Sequence, residues 1–99
     1  MWILRGSEPD AEPWKFRLRS GAIKTVGRAP RADFVVDAAL VSRVHCRLTA
    51  TDERLEVVDL SSTNGTFVND KRVKKASLAA GDRLRLGRVE LTIERQKQR

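Results

Sequence analysis

Three short stretches of the chain gather polar residues of a single kind: Gly27-Arg28, Ser42-Arg43-Val44-His45 and Ser61-Ser62-Thr63-Asn64-Gly65-Thr66. Together they offer two guanidinium groups, several hydroxyls, a carboxamide and backbone N–H groups, and none of the three contains a carboxylate. A donor set without acids suits a phosphate. Arg presents planar paired donors to phosphate oxygens, and Ser and Thr hydroxyls rotate to complete the shell. Each charge-assisted bond contributes roughly 1.5 to 3 kcal/mol, so two would already separate a phosphorylated ligand from an unmodified one.

Rival chemistries fit less well. Ser42, His45 and Asp59 are the residue types of a hydrolase triad, but a Ser and a His three positions apart at a strand start need not face each other, and no nucleophile elbow is present. The single His and single Cys, His45 and Cys46, are adjacent and cannot supply three or four metal ligands, so neither a metal nor a cofactor is expected. Twenty Lys and Arg against thirteen Asp and Glu give a net charge of +7, which favours anionic partners. Nucleic acid is the alternative reading, because Lys71, Arg72, Lys74 and Lys75 form a basic cluster, as does the tail from Arg95 to Arg99. Five aromatics, mostly at core parity, offer little base stacking, and the other basic residues are spread along the chain and interleaved with acids. An unphosphorylated partner on the same loops is a further alternative.

Elements that could hold such loops are legible as period-two alternation. Trp14, Phe16 and Leu18 alternate with Lys15 and Arg17, Leu84 and Leu86 with Arg83 and Arg85, and Val89, Leu91 and Ile93 with Glu90 and Thr92. Cys46 and Leu48 alternate with Arg47 and Thr49, so Cys46 reads as a buried apolar residue. Shorter β-rich pieces lie at 23–27 and 34–36, and 55–60 has apolar residues on both parities, as a strand buried on both faces or a bulged one would. Trp2, Trp14, Phe16, Phe34 and Phe67 read as core or edge packing, Trp14 and Phe16 above all. Turn signals at Ser20-Gly21, Pro30-Arg31, Asp52-Glu53, Asn64-Gly65, Asn69-Asp70 and Gly81-Asp82 separate these runs, and no helical stripe of ten residues appears. The pattern predicts an all-β antiparallel sandwich or barrel. A strand around 2–4 and a loop over 7–13 are expected to complete one edge.

The order of the motifs identifies a family. Gly27-Arg28, Ser42-Arg43-Val44-His45, Ser62-Thr63-Asn64-Gly65-Thr66, Asn69 and Gly81-Asp82 with Gly87 resemble, in sequence and spacing, the forkhead-associated (FHA) domain, a phosphothreonine-peptide-binding module. The resemblance covers nearly the whole chain, residues 1–95, leaving 96–99 as a polar tail. It implies an antiparallel β-sandwich of about eleven strands with its binding site in loops at one end. Arg28 and Ser42 would bind the phosphate, Arg43 and Thr63 would add contacts to it, and Asn64 would bond the peptide backbone. Gly27, His45, Gly65 and Asn69 would be structural at the site, His45 by bracing the loop of Ser42. Asp70 stands where the family often has Gly.

The resemblance implies a phosphothreonine-containing protein as partner, recruited downstream of a Ser/Thr kinase, with no catalysis, nucleic acid or membrane and a monomeric domain. The lone cysteine, and an N-terminus without signal-peptide features, suggest an intracellular setting. A bacterial source would make it cytoplasmic. The opening Met1-Trp2-Ile3 is similar to nibrin-type DNA-repair proteins and would instead make it nuclear.

Overall fold

A computed structural model describes residues 1–7 and 13–96. Eleven strands form: β1 (Trp2–Ser7), β2 (Trp14–Leu18), β3 (Ile23–Gly27), β4 (Phe34–Val35), β5 (Cys46–Ala50), β6 (Leu55–Asp59), β7 (Thr66–Val68), β8 (Lys71–Val73), β9 (Lys75–Leu78), β10 (Arg83–Leu86) and β11 (Val89–Arg95). Among the described residues there is no helix. The strands make two sheets, a six-stranded one in the order β2-β1-β11-β10-β7-β8 and a five-stranded one in the order β4-β3-β5-β6-β9. All pairs are antiparallel except β3 with β4, so the expected antiparallel sandwich carries one parallel exception among the described residues.

Each sheet turns its apolar parity inward. Leu84 and Leu86 of β10, Leu91 and Ile93 of β11, and Leu4 of β1 face Cys46, Leu48, Leu55 and Val57 of the other sheet, all of them buried in one cluster. Burial pushes the Cys46 thiol far up, and the nearby Asp59 carboxylate adds to it, so this sulfur is an inert core atom. In β6, Leu55 and Val57 point inward in continuous register with β5 and β9, while Val58 is half-buried on the outer face; the strand is not bulged.

The N-terminal expectation needs one correction. β1 is an inner strand, hydrogen-bonded by both β2 and β11, and β2 is the edge. Flanked on both sides, Trp2 is 2% exposed and is the core aromatic, with its indole N–H donating to the Thr51 carbonyl at 2.9 Å. Trp14 and Phe16, on the edge strand, are only half-buried. Phe16 instead stacks on Phe34 at 4.6 Å between ring centres and closes the flank between the sheets, since β2 and β4 are each an edge. The loop expected over 7–13 lies, for residues 8–12, outside the described residues.

Candidate functional site

Gly27 is where the site begins. A Cβ at this position would collide with the Arg43 carbonyl, so only glycine lets the segment 42–43 lie flat against the end of β3. There the Arg28 N–H donates to the Ser42 carbonyl at 2.9 Å and the Ala29 N–H to the Arg43 carbonyl at 3.0 Å. Backbone pairing thus sets Arg28 beside Ser42. The Arg28 Nε donates to the Val41 carbonyl at 3.2 Å, which fixes the guanidinium plane. Among the described residues its two terminal nitrogens have no acceptor and Arg28 has no ion-pair partner.

His45, fully buried, ties two loops together. Its Nδ1 accepts from the Ser42 N–H at 3.0 Å and its Nε2 lies 2.8 Å from the Gly65 carbonyl. A carbonyl only accepts, so the proton is assigned to Nε2 and the ring is neutral. The Ser42 Oγ in turn accepts from the Thr63 N–H at 3.0 Å, leaving its hydroxyl hydrogen free to donate outward. The Asn64 side-chain N–H donates to the Leu40 carbonyl at 3.0 Å, so its carbonyl oxygen and second N–H remain available. Gly65 has φ +90°, and a Cβ there would press on the Arg72 guanidinium and the Phe67 ring.

Beneath the 62–65 loop sits Asp59. Its Oδ1 accepts from the Ser62 hydroxyl, and from the Thr66 hydroxyl at 2.7 Å; its Oδ2 accepts from the Ser62 N–H at 3.2 Å. Burial alone would raise this carboxyl, but the Ser62 and Thr66 donors hold it below the usual carboxylate value. The Ser62 hydroxyl also accepts from the Gly65 N–H at 3.0 Å, which completes the turn that presents Asn64. Ser42, His45 and Asp59 do not align as a triad. Both ring nitrogens of His45 face backbone groups, and the Asp59 oxygens serve Ser62 and Thr66.

Arg28, Ser42, Thr63 and Asn64 come together in one depression of about 300 Å³, completed by Ala39, Leu40 and Val41, and none of the described lining residues is acidic. Arg43 is not among them. It lines a neighbouring depression of about 690 Å³ with Arg28, Ala29, Pro30, Val35 and Asp37, so that Arg28 is the shared wall. Gly27, His45 and Gly65 lie behind the first depression as its supports. Asn69 lies apart, at the other end of β7, where its N–H donates to the Arg83 carbonyl, its side-chain oxygen accepts from the Arg83 N–H and its amide donates to Asp82.

A sequence-family model for the FHA domain matches residues 24–87, about two thirds of the chain. The chain belongs to the FHA family. This FHA domain is 40% identical over 74 residues to the glycogen accumulation regulator GarA of Mycobacterium tuberculosis, covering 75% of this chain and 46% of GarA. It thus spans about half the length of that curated relative. Among solved structures it matches the FHA domain of CT664 from Chlamydia trachomatis with a TM-score of 0.89, at 25% identity over 97% of this chain and 98% of that one. It also matches the FhaA FHA domain complexed with the intracellular domain of Rv3910, with a TM-score of 0.84 at 32% identity over 95% and 100% of the two chains. All-β architecture, sheet pairing and family therefore agree.

The roles of two residues at this end of the FHA domain escaped the sequence reading, which weighed Asp59 only for a triad and Arg72 only within a basic cluster. Asp59 carried a signal, an acid three residues before Ser62 and seven before Thr66, the local spacing of a side chain that gathers turn donors. Arg72 follows from the hairpin: a two-residue turn at Asn69-Asp70 pairs Phe67 with Arg72 and so sets the guanidinium against Gly65.

Proposed function

We propose that this FHA domain is a non-catalytic module that binds phosphothreonine in a partner protein. The observation that carries this reading is the convergence of Arg28, Ser42, Thr63 and Asn64 on one depression free of described acids. In it the terminal nitrogens of Arg28 and the hydroxyl of Ser42 bind the phosphate, Thr63 lies alongside, and Arg43 adds a second cation from the adjoining wall. Asn64 binds the peptide backbone, its geometry fixed by the bond to Leu40. A small recess for the threonine γ-methyl would set the preference for threonine over serine. Support comes from the FhaA relative, whose FHA domain is seen with the intracellular domain of another protein, and from the regulator GarA. The domain then works as a monomer downstream of a Ser/Thr kinase, in the cytoplasm, since the relatives above are bacterial.

Fluorescence polarisation with matched phosphothreonine, phosphoserine and unmodified peptides tests this, with an oligonucleotide as control at two salt concentrations. Binding confined to the phosphothreonine peptide is expected, and Arg28→Ala should weaken it by about tenfold or more, the loss of one charge-assisted bond. Equal binding to all three peptides, full affinity in Arg28→Ala, or salt-steep binding to the oligonucleotide alone would overturn it.

A further inference from the structure

The two sheets differ in what they turn to water. In the six-stranded sheet the register sets Lys15 of β2, Arg5 of β1, Thr92 of β11 and Arg83 of β10 in one row, on the opposite parity from the core residues Leu4, Leu84 and Leu91. Two residues along β10, on the same face, a second row continues through Arg85, Phe67 of β7 and Arg72 of β8. The path crosses all six strands, about 24 Å at about 4.8 Å per strand, and carries five cations. On the outer face of the five-stranded sheet the row Thr25-Arg47-Val58-Lys75 holds two, and Lys75 already faces Glu56 at 3.7 Å.

Phe67 lies on this outer face and not in the core. Arg85 and Arg72 are its cross-strand neighbours, and the Arg85 guanidinium sits 4.2 Å from the centre of its ring. A guanidinium held on an aromatic ring offers its other face as a plane on which a base can stack. The described acids of this face hold the arginines in place. Glu94 pairs with Arg5, and Asp70 lies 3.6 Å from Arg83 and 4.0 Å from Arg85. Each carboxylate engages part of a fork of five N–H donors and leaves the rest for a phosphate. Glu94, Glu90 and Asp70 stand beside the path, so the face is a narrow cationic line edged by acids. A line suits a chain of phosphates, whereas a flat anionic bilayer would press on the acids as well.

We infer that this FHA domain binds single-stranded nucleic acid across the outer face of its six-stranded sheet. The phosphates follow Lys15, Arg5, Arg83, Arg85 and Arg72, and a base stacks on Arg85 over Phe67. The surface is separate from the depression of Arg28 and Ser42, so the two ligands do not compete for the same donors. Nor is it the basic cluster evident in the sequence. Of that cluster Arg72 alone lies on the path, while Lys71 pairs with Val68 on the other parity and Lys75 belongs to the other sheet.

The test is fluorescence anisotropy of a labelled single-stranded DNA of about twelve nucleotides, within the span such surfaces occupy, titrated with the whole chain at a series of salt concentrations. Log affinity should fall against log salt with a slope of about −3.5, about 0.7 for each of the five cations. Lys15→Ala and Arg83→Ala, both at exposed positions, should each make the slope shallower by about 0.7. Phe67→Leu should weaken binding about fivefold at an unchanged slope, because it removes stacking and no charge. Arg28→Ala, which weakens phosphopeptide binding, should leave the oligonucleotide curve in place, as should Lys74→Ala. Absence of binding, or equal affinity for a poly-Glu peptide of the same charge or for phosphatidylserine vesicles, overturns the inference. So does a slope that responds to Lys74→Ala and not to Lys15→Ala and Arg83→Ala, or loss of the oligonucleotide in Arg28→Ala. None of these outcomes touches phosphothreonine binding, which the peptide assay reads separately.

Discussion

His45 commits both ring nitrogens to backbone groups of separate loops, the Ser42 N–H and the Gly65 carbonyl. In His45→Ala the buried Gly65 carbonyl and the partly buried Ser42 N–H would both lose their partner, at about 1 to 3 kcal/mol each, so thermal melting should fall by about 10 °C or more. Phosphopeptide affinity should fall with it, because Ser42 and Asn64 lose their common brace. An unchanged melting curve would refute the bracing role. Asp59 gives a pH dependence. Its folded-state carboxyl titrates below its unfolded value of about 3.9, so its stabilisation is present above that value and lost as pH falls through the lower, folded one. The stability difference between wild type and Asp59→Asn, followed by urea melts, should thus be full above about pH 5 and shrink under acid. A difference independent of pH down to pH 2 would contradict it. The donor residues of the site were legible because Arg, Ser, Thr and Asn in loops have few other uses in such density. The family resemblance placed Arg43 with them, yet neighbouring loop residues point different ways, and it lines the second depression.

At the scale of elements, the β3 end and the 42–43 segment form one unit through the two backbone bonds made by Arg28 and Ala29. Gly27→Ala should force that segment outward and reduce phosphopeptide binding at least tenfold while leaving most of the core packing in place. Near-native circular dichroism with lost binding is the expected pair of results, and retained binding would show that the close approach is dispensable. Strands with clean alternation, such as β10 and β11, could be read directly, since one face of each meets the core and the other meets water. β8 and β9 could not. Lys71, Arg72 and Lys75 lie on exposed edge strands and Lys74 in the bend between them, where basic side chains guard against stray pairing and erase the apolar signal. The Asn69-Asp70 turn has φ of 49° and 69°, so the tight hairpin forms with Asp where the family often has Gly; ion pairs of Asp70 with Arg83 and Arg85 accompany it. The relative burial of Trp2 and Trp14 was not readable, because it depends on which strand is flanked on both sides, a matter of long-range order.

For the molecule as a whole, a net charge of +7 around a donor-lined depression should steer a phosphorylated ligand toward it. Stopped-flow association with a phosphothreonine peptide should slow several-fold as salt rises from about 50 to 500 mM, with a smaller change in dissociation. A salt-independent association rate would mean that the excess charge plays no part. The two ends of the described chain meet far from the loops: the Met1 amino group donates to the Gln96 carbonyl at 3.0 Å and the Gln96 N–H to the Met1 carbonyl at 2.8 Å. From there β1 and β11 run side by side in the register Trp2↔Arg95 through Ser7↔Glu90, toward the end where Gly87 packs on Leu40. Tension applied at residues 1 and 96 would therefore meet the hydrogen bonds of this ladder one at a time, like a zipper, because antiparallel bonds lie across the strands. In optical-trap pulling the opening force should be low, and should rise sharply when the second handle moves from Gln96 to Glu90 and loads the same bonds together. Under load the end of the ladder nearest the candidate site, where Ser7 pairs with Glu90, would be the last part of it to give way.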